Sequence, residues 1–154
     1  MLSKKYITKE PKKKLVFVYG SLKKNFSNHH ILEEAKYKCK AKTLKKFDMY
    51  KEDYYNYPYL LKRTTAQSHN IKGELYEIDR DDILKKLDEF ENVPNYYERH
   101  TIKVKIYNGT IKKADAYFMK EKKIPKNKET LKEWIENKKV IDINFNAYYK
   151  SIIG

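Results

Sequence analysis

Apolar and polar positions along the chain fall into short periods that change every ten or so residues. Residues 15–19, Leu-Val-Phe-Val-Tyr, form an unbroken apolar run of β-branched and aromatic side chains. Such a run predicts a strand buried on both faces, and Gly20-Ser21 closes it with a turn signal. Asn28 suits the cap of a short helix over 28–35, with Ile31, Leu32 and Ala35 on one side. Over 36–50 the alternation is loose, with Tyr37, Cys39 and Ala41 facing one way. This predicts a strand and then a second short strand at 47–50. A Tyr- and Asn-rich loop at 53–58 leads into a short strand at 59–63. Residues 71–78, Ile-Lys-Gly-Glu-Leu-Tyr-Glu-Ile, alternate cleanly and predict a strand.

Asp79 is placed to cap a helix over 80–90, with Asp82 in its first turn and Pro94 just beyond its end. A long strand follows over 96–107. Asn108-Gly109 is a strong hairpin signal, and 112–119 returns as the partner strand. Residues 121–128 read as a charged linker. A further helix is expected over 129–139, with Leu131, Trp134 and Ile135 on one face. The remainder, to residue 154, is apolar and aromatic enough to dock. Residues 1–14 are polar, basic and aperiodic, so they read as a flexible tail and 15–154 as one domain. The fold class expected is α+β: mostly antiparallel strands with a few short helices, curved or closed into a small barrel.

Composition narrows this picture. A chain of 154 residues is the length of one domain. Its 15 Tyr and 6 Phe supply core volume that a disordered chain lacks. A single Cys excludes an internal disulfide framework and a Cys-based zinc cluster. No apolar run is long enough to span a membrane and the N-terminus has no signal-peptide core, so a soluble cytoplasmic protein is expected. The net charge is +14, but all except Arg63, Arg80 and Arg99 of the 35 basic residues are lysine. Lysines neutralise phosphates, whereas base reading leans on Arg, Asn and Gln. At most weak, non-specific nucleic-acid binding is expected, and no membrane partner.

The candidate chemistry starts at the helix over 80–90. Ile83, Leu84, Leu87 and Phe90 mark its core face, and the spacing of Leu84, Leu87 and Glu91 carries the apolar stripe on to Glu91. Burial and the negative end of the helix dipole both disfavour a charged carboxylate there. Both raise its pKa toward the range useful to a general base. The plainer alternative is that the helix ends at Phe90 and Glu91 turns to solvent or pairs with Arg99. Elsewhere the signals are thinner. His29 and His30 point apart on a helix and read as surface residues, and Cys39 reads as a core thiol. Lys23-Lys24 lacks the spacing of a phosphate loop, and Ser21 lacks the Gly-x-Ser-x-Gly elbow.

Two segments resemble one family. Val18-Tyr19-Gly20-Ser21-Leu22-Lys23-Lys24, followed by Asn28-His29, resembles the opening signature of the gamma-glutamylcyclotransferase-like (AIG2-like) superfamily. Leu87-Asp88-Glu89-Phe90-Glu91, with Pro94, Tyr97 and Arg99, resembles its second signature. Tyr57-Pro58-Tyr59-Leu60 and Gly73-Glu74-Leu75-Tyr76 fall between them in the expected order. Leu22-Lys23-Lys24 and Asn28-His29 are most similar to the gamma-glutamylaminecyclotransferase branch. The resemblance implies a small mixed β-barrel with flanking short helices. It implies that Tyr19, Gly20, Ser21 and Leu22 form the substrate-binding loop, that Tyr97 is a pocket tyrosine and that Glu91 is the catalytic acid/base. The implied reaction cyclises a gamma-glutamyl amine to 5-oxoproline and frees the amine, with a small-molecule substrate, no metal and no cofactor. A monomer is expected. Two alternatives remain open at this point: another gamma-glutamyl compound as substrate, or a non-catalytic basic binding module on the same fold.

Overall fold

The computed structural model describes residues 13–53, 55–120 and 128–136. The strands are β1 (Lys14–Val18), β2 (Lys36–Lys51), β3 (Pro58–Leu61), β4 (His69–Ile78), β5 (Tyr97–Ile106) and β6 (Ile111–Met119). A 3-10 turn covers His29–Leu32, and the α-helix of the described residues, α1, covers Asp81–Phe90. The sheet order is β3-β2-β4-β1-β6-β5, and a further β2–β5 pairing closes five of these strands into a barrel. The β1–β6 pairing is parallel and the other pairings are antiparallel. The fold is thus α+β, as the pattern predicts, and a small mixed barrel with short flanking helical elements, as the resemblance implies. None of the described helices is long and apolar enough to cross a membrane.

The length of β2 makes closure possible. One edge pairs with β4 from Lys36 to Phe47. The other edge pairs with β5 through Ala41, Lys42 and Thr43, and then with β3 from Asp48 to Lys51. Register shifts between Tyr37 and Cys39 and between Lys42 and Lys46 bend the strand around the barrel. The expected break before residue 47 is therefore an irregularity inside one strand. Asp48, fully buried on β2, is held by the Arg63 Nε at 2.7 Å, the Ser68 hydroxyl at 2.6 Å and the Thr65 hydroxyl at 2.9 Å. Those bonds satisfy a carboxylate that would otherwise be costly to bury.

The apolar run at the start of β1 has both faces covered. Phe17 and Tyr19 join the cluster that fills the barrel, with Met49, Leu60, Leu75 and Phe118. Val16 and Val18 join a second cluster between the barrel and α1, with Ile83 and Leu87. Leu87 is wholly buried there, which is worth about 1.5–3 kcal/mol for a side chain of its size. At the β5–β6 hairpin the Ile106 N–H donates to the Thr110 carbonyl, and Gly109 takes φ 86°, a left-handed conformation that suits glycine.

Several local expectations are corrected. β1 begins at Lys14, whose ammonium pairs with Asp115 at 3.1 Å, so Lys14 belongs to the sheet. Residues 1–12, 121–127 and 137–154 lie outside the described residues. The helix over 28–35 is a 3-10 turn without a side-chain cap. The residue capping α1 is Arg80, not Asp79, and its guanidinium holds Asp82 at 3.0 and 2.5 Å.

The largest correction falls on 129–139, where the described part, 128–136, forms neither helix nor strand. The Leu131 N–H donates to the Met49 carbonyl, and the Lys132 carbonyl accepts the Lys72 N–H. Trp134 and Glu136 turn inward and are buried, while Ile135 between them is 70% exposed. The backbone finds its partners on the barrel, so the helix has nothing to offer it. This strap crosses the barrel and reaches the loop that follows β1.

Candidate active site

A cavity of about 390 Å³ opens where the end of β1, the end of α1 and the start of β5 converge. Its walls include Tyr19, Gly20, Ser21 and Leu22 from the loop after β1, Glu91 and Asn92 from the end of α1, and Tyr97 from β5. All six residues singled out in the sequence thus face one space. Phe17 and Val18 from β1, with Asn28, Tyr57, Pro58, Phe90, Tyr96 and Tyr117, complete the lining.

Glu91 is set in place by the way α1 ends. It is the C-terminal cap, with φ −83° and ψ 0°, and its N–H donates to the Leu87 carbonyl at 2.9 Å. Asn92 follows at φ 52°. The Asn92 N–H then reaches the Glu89 carbonyl at 3.1 Å and the Val93 N–H reaches the Asp88 carbonyl at 2.9 Å. These paired bonds make a Schellman motif, and Val93 packs in the same cluster as Leu87. Asn92 was the missed signal: asparagine just past a helix end tolerates the left-handed conformation that such a motif needs. Asn92→Gly is expected to keep the stability of the protein. Asn92→Ala is expected to lose about 1 kcal/mol or more, since Ala bears the left-handed penalty without asparagine's local hydrogen bonding. Urea unfolding of the two variants checks the difference.

A second tie fixes the same turn. The Asp88 carboxylate accepts from Arg99 at 2.9 Å and from the Tyr117 hydroxyl at 2.8 Å, joining α1 to β5 and β6. Arg99 also approaches Asp115 at 3.3 Å. The alternative pairing of Glu91 with Arg99 is therefore not made. The Glu91 carboxylate has no hydrogen bond or ion pair among the described residues. It is half-buried against the cavity wall, and desolvation pushes its pKa from 4.5 up to about 7.

The loop after β1 lines the cavity and leaves part of its backbone without a protein partner among the described residues. The carbonyls of Gly20, Ser21 and Leu22 are taken by the Lys23 N–H, the Asn28 N–H and His29 Nδ1. Their own N–H groups donate to nothing among the described residues. The Asn28 side-chain amide donates to the Ser21 hydroxyl at 2.9 Å, which leaves the Ser21 proton free to donate in turn. Gly20 packs closely on Pro58: a Cβ there would sit 3.0 Å from Pro58 Cγ, so that ring would have to give by a few tenths of an ångström.

The tyrosines divide their work. The Tyr19 hydroxyl donates to the Tyr117 carbonyl at 2.7 Å, so its side chain braces the wall while its backbone carries the loop. Burial, then the nearby Glu91 charge, raises the Tyr19 pKa well above its ordinary value. Tyr97 is raised likewise, by burial first and then by Tyr19 and Glu91. Its hydroxyl has no hydrogen-bond partner among the described residues, so it is a neutral donor near the carboxylate. His29 is half-buried and bonded to the Leu22 carbonyl rather than a free surface group, and Cys39 packs against the barrel cluster.

Residues 16–136 match the family described as gamma-glutamyl cyclotransferase, AIG2-like. Gamma-glutamylaminecyclotransferase A of Danio rerio is 35% identical over 107 residues, covering 66% of this chain and 65% of its own. Gamma-glutamylaminecyclotransferase of Homo sapiens is 32% identical over 97 residues, covering 60% of this chain and 62% of its own. The chain thus spans less than two-thirds of the length of these relatives. The crystal structure of an AIG2-like protein from Mus musculus superposes with a TM-score of 0.73 at 25% identity, over 83% of this chain and 92% of that one.

Proposed function

The chain belongs to the gamma-glutamyl cyclotransferase, AIG2-like, family, and from that premise we propose that it cyclises a gamma-glutamyl amine to 5-oxoproline, with Glu91 as general acid and base. One observation carries the reading. A desolvated carboxylate with a pKa near 7 shares a cavity with three consecutive backbone N–H groups that have no partner among the described residues.

The chemistry follows from those groups. Ionised Glu91 takes a proton from the substrate α-ammonium, which cannot attack while its lone pair is protonated. The freed nitrogen attacks the γ-carbonyl carbon and closes a five-membered ring. The N–H groups of Gly20, Ser21 and Leu22, with the Ser21 and Tyr97 hydroxyls, hold the substrate and the developing oxyanion. The bond from the γ-carbon to the leaving nitrogen then breaks, and Glu91 returns its proton to that nitrogen. The ring nitrogen gives up its second proton as the lactam forms, and the amine leaves as its ammonium form.

Incubating the protein with gamma-glutamyl amines, gamma-glutamyl dipeptides and glutathione tests this. The proposal expects 5-oxoproline, with gamma-glutamyl amines turned over fastest. A faster dipeptide or glutathione reaction would move the substrate within the family, and no 5-oxoproline from any of them would contradict the enzyme. The second reading, a basic binding module, draws on one observation. Lys42 stands in register between Lys72 and Lys105 on neighbouring strands, a row of like charges that destabilises a sheet. Such a row favours polyanions, with affinity that falls steeply with salt. Tight binding to one nucleic-acid sequence at physiological salt, without 5-oxoproline formation, would favour that reading.

A further inference from the structure

The loop over 20–28 has little structure of its own. It is a chain of turns, with Asn25 at φ 68°, and it is fastened from outside at three points. The Lys24 N–H donates to Glu74 Oε1 on β4 at 2.8 Å. The buried Lys23 ammonium donates to the Trp134 carbonyl at 2.5 Å. The Ser27 N–H and hydroxyl both donate to the Glu136 carboxylate, each at 2.8 Å. Two of the three fastenings therefore come from the strap, 109 residues further along the chain at Glu136.

Glu136 is buried at 8% exposure, so its bidentate grip is made away from water, where a charge-assisted bond is strong and a broken one is costly. Asn28, next to Ser27, binds Ser21 through both its N–H and its side-chain amide. A displacement at Ser27 is thus passed through Asn28 to the N–H groups of 20–22.

We propose that Glu136 is a positioning residue: by clasping Ser27 it holds the N–H groups of Gly20, Ser21 and Leu22 in the array that receives the substrate. It touches no substrate itself. The inference rests on the reading of residues 20–22 as the substrate-binding loop.

The test compares Glu136→Ala, Glu136→Gln and, as a control on the exposed side of the strap, Ile135→Ser. Two readouts are used: kcat and KM on a gamma-glutamyl amine that the unmodified protein cyclises, and amide hydrogen exchange of the peptide spanning 20–28. Glu136→Ala is expected to raise KM by about tenfold or more, the loss expected for charge-assisted bonds. Its exchange over 20–28 should rise while the barrel strands keep theirs. Glu136→Gln can still accept from the Ser27 N–H and donate to its hydroxyl, so it should restore most of both. Ile135→Ser should change neither.

An unchanged KM with unchanged exchange over 20–28 would overturn the proposal. So would exchange rising equally throughout the barrel, since that marks a general loss of stability. If Glu136→Ala does not fold, Ser27→Ala, which removes one bond from the exposed partner, should shift both readouts in the same direction by a smaller factor, and no shift would overturn the proposal. If the unmodified protein forms no 5-oxoproline, the proposed reaction fails on its own, and the exchange readout still decides whether Glu136 orders the loop.

Discussion

Glu91→Gln is expected to lower kcat by at least about 10²-fold, the lower bound for losing a general acid–base group. Glutamine keeps the shape and the hydrogen-bonding capacity of the side chain but takes up no proton near neutral pH. Substrate binding should change little, because the N–H groups of 20–22 and the Tyr97 hydroxyl are untouched. The same variant should gain stability, in a way that depends on pH. The Glu91 carboxyl has an ordinary pKa of 4.5 and is pushed up to about 7 by desolvation. Between those values the folded protein holds a proton that the unfolded chain has lost. Stability therefore falls as pH rises through that window, at about 1.4 kcal/mol for each pH unit fully traversed. Glu91→Gln escapes this penalty. Its Tm should exceed that of the unmodified protein at pH 8, and the gain should vanish below pH 4.5. A surface carboxylate would show near-normal turnover and no such crossover.

Gly73→Ala is expected to be the most damaging small substitution in the barrel. A Cβ on Gly73 would overlap the Val18 carbonyl oxygen and stand 2.6 Å from Phe17 Cζ. The Phe17 ring is fully buried, and the carbonyl belongs to backbone paired in the β1–β4 ladder. Relief requires the two strands to part. Overpacking of this kind costs about 1–3 kcal/mol, and the contact with backbone places Gly73→Ala at the upper end. That corresponds to a fall in Tm of roughly 6–12 °C for a chain of this size. Val18 immediately precedes Tyr19, so the residual folded protein should also bind substrate more weakly. Thermal unfolding with a KM measurement checks both, and a Tm within 2 °C of the unmodified protein would contradict the packing argument.

The sequence was most legible where one local force decides the outcome. The apolar run before Gly20, the alternation over 71–78, the Asn108-Gly109 turn and the stripe on α1 each specify their element within a few residues. The alternation of β4 weakens near its end because Glu74, Leu75 and Tyr76 are buried in succession, between the barrel cluster and the one beneath α1. The strap was illegible for the opposite reason. Leu131, Trp134 and Ile135 have helical spacing, but the backbone of 131 and 132 is claimed by Met49 and Lys72, which no local pattern can reveal. The site shows the same division. Periodicity reached Glu91 as a carboxylate on an apolar stripe. The tie of Asp88 to Arg99 and Tyr117, and the bond from Tyr19 to the Tyr117 carbonyl, depend on the register of β5 against β6. They could not be read before the barrel closed.

The acid limb of the pH–rate profile probes Glu91 most directly. With a gamma-glutamyl amine as substrate, kcat/KM reports the ionisation of groups in the free enzyme. Because Glu91 must be ionised to accept the α-ammonium proton, kcat/KM should fall tenfold per pH unit below an apparent pKa near 7. The residual activity of Glu91→Gln should lack that limb. A profile that stays flat from pH 5.5 to 8, or a Glu91→Gln variant that keeps both the limb and turnover within about threefold of the unmodified protein, would remove Glu91 from the mechanism.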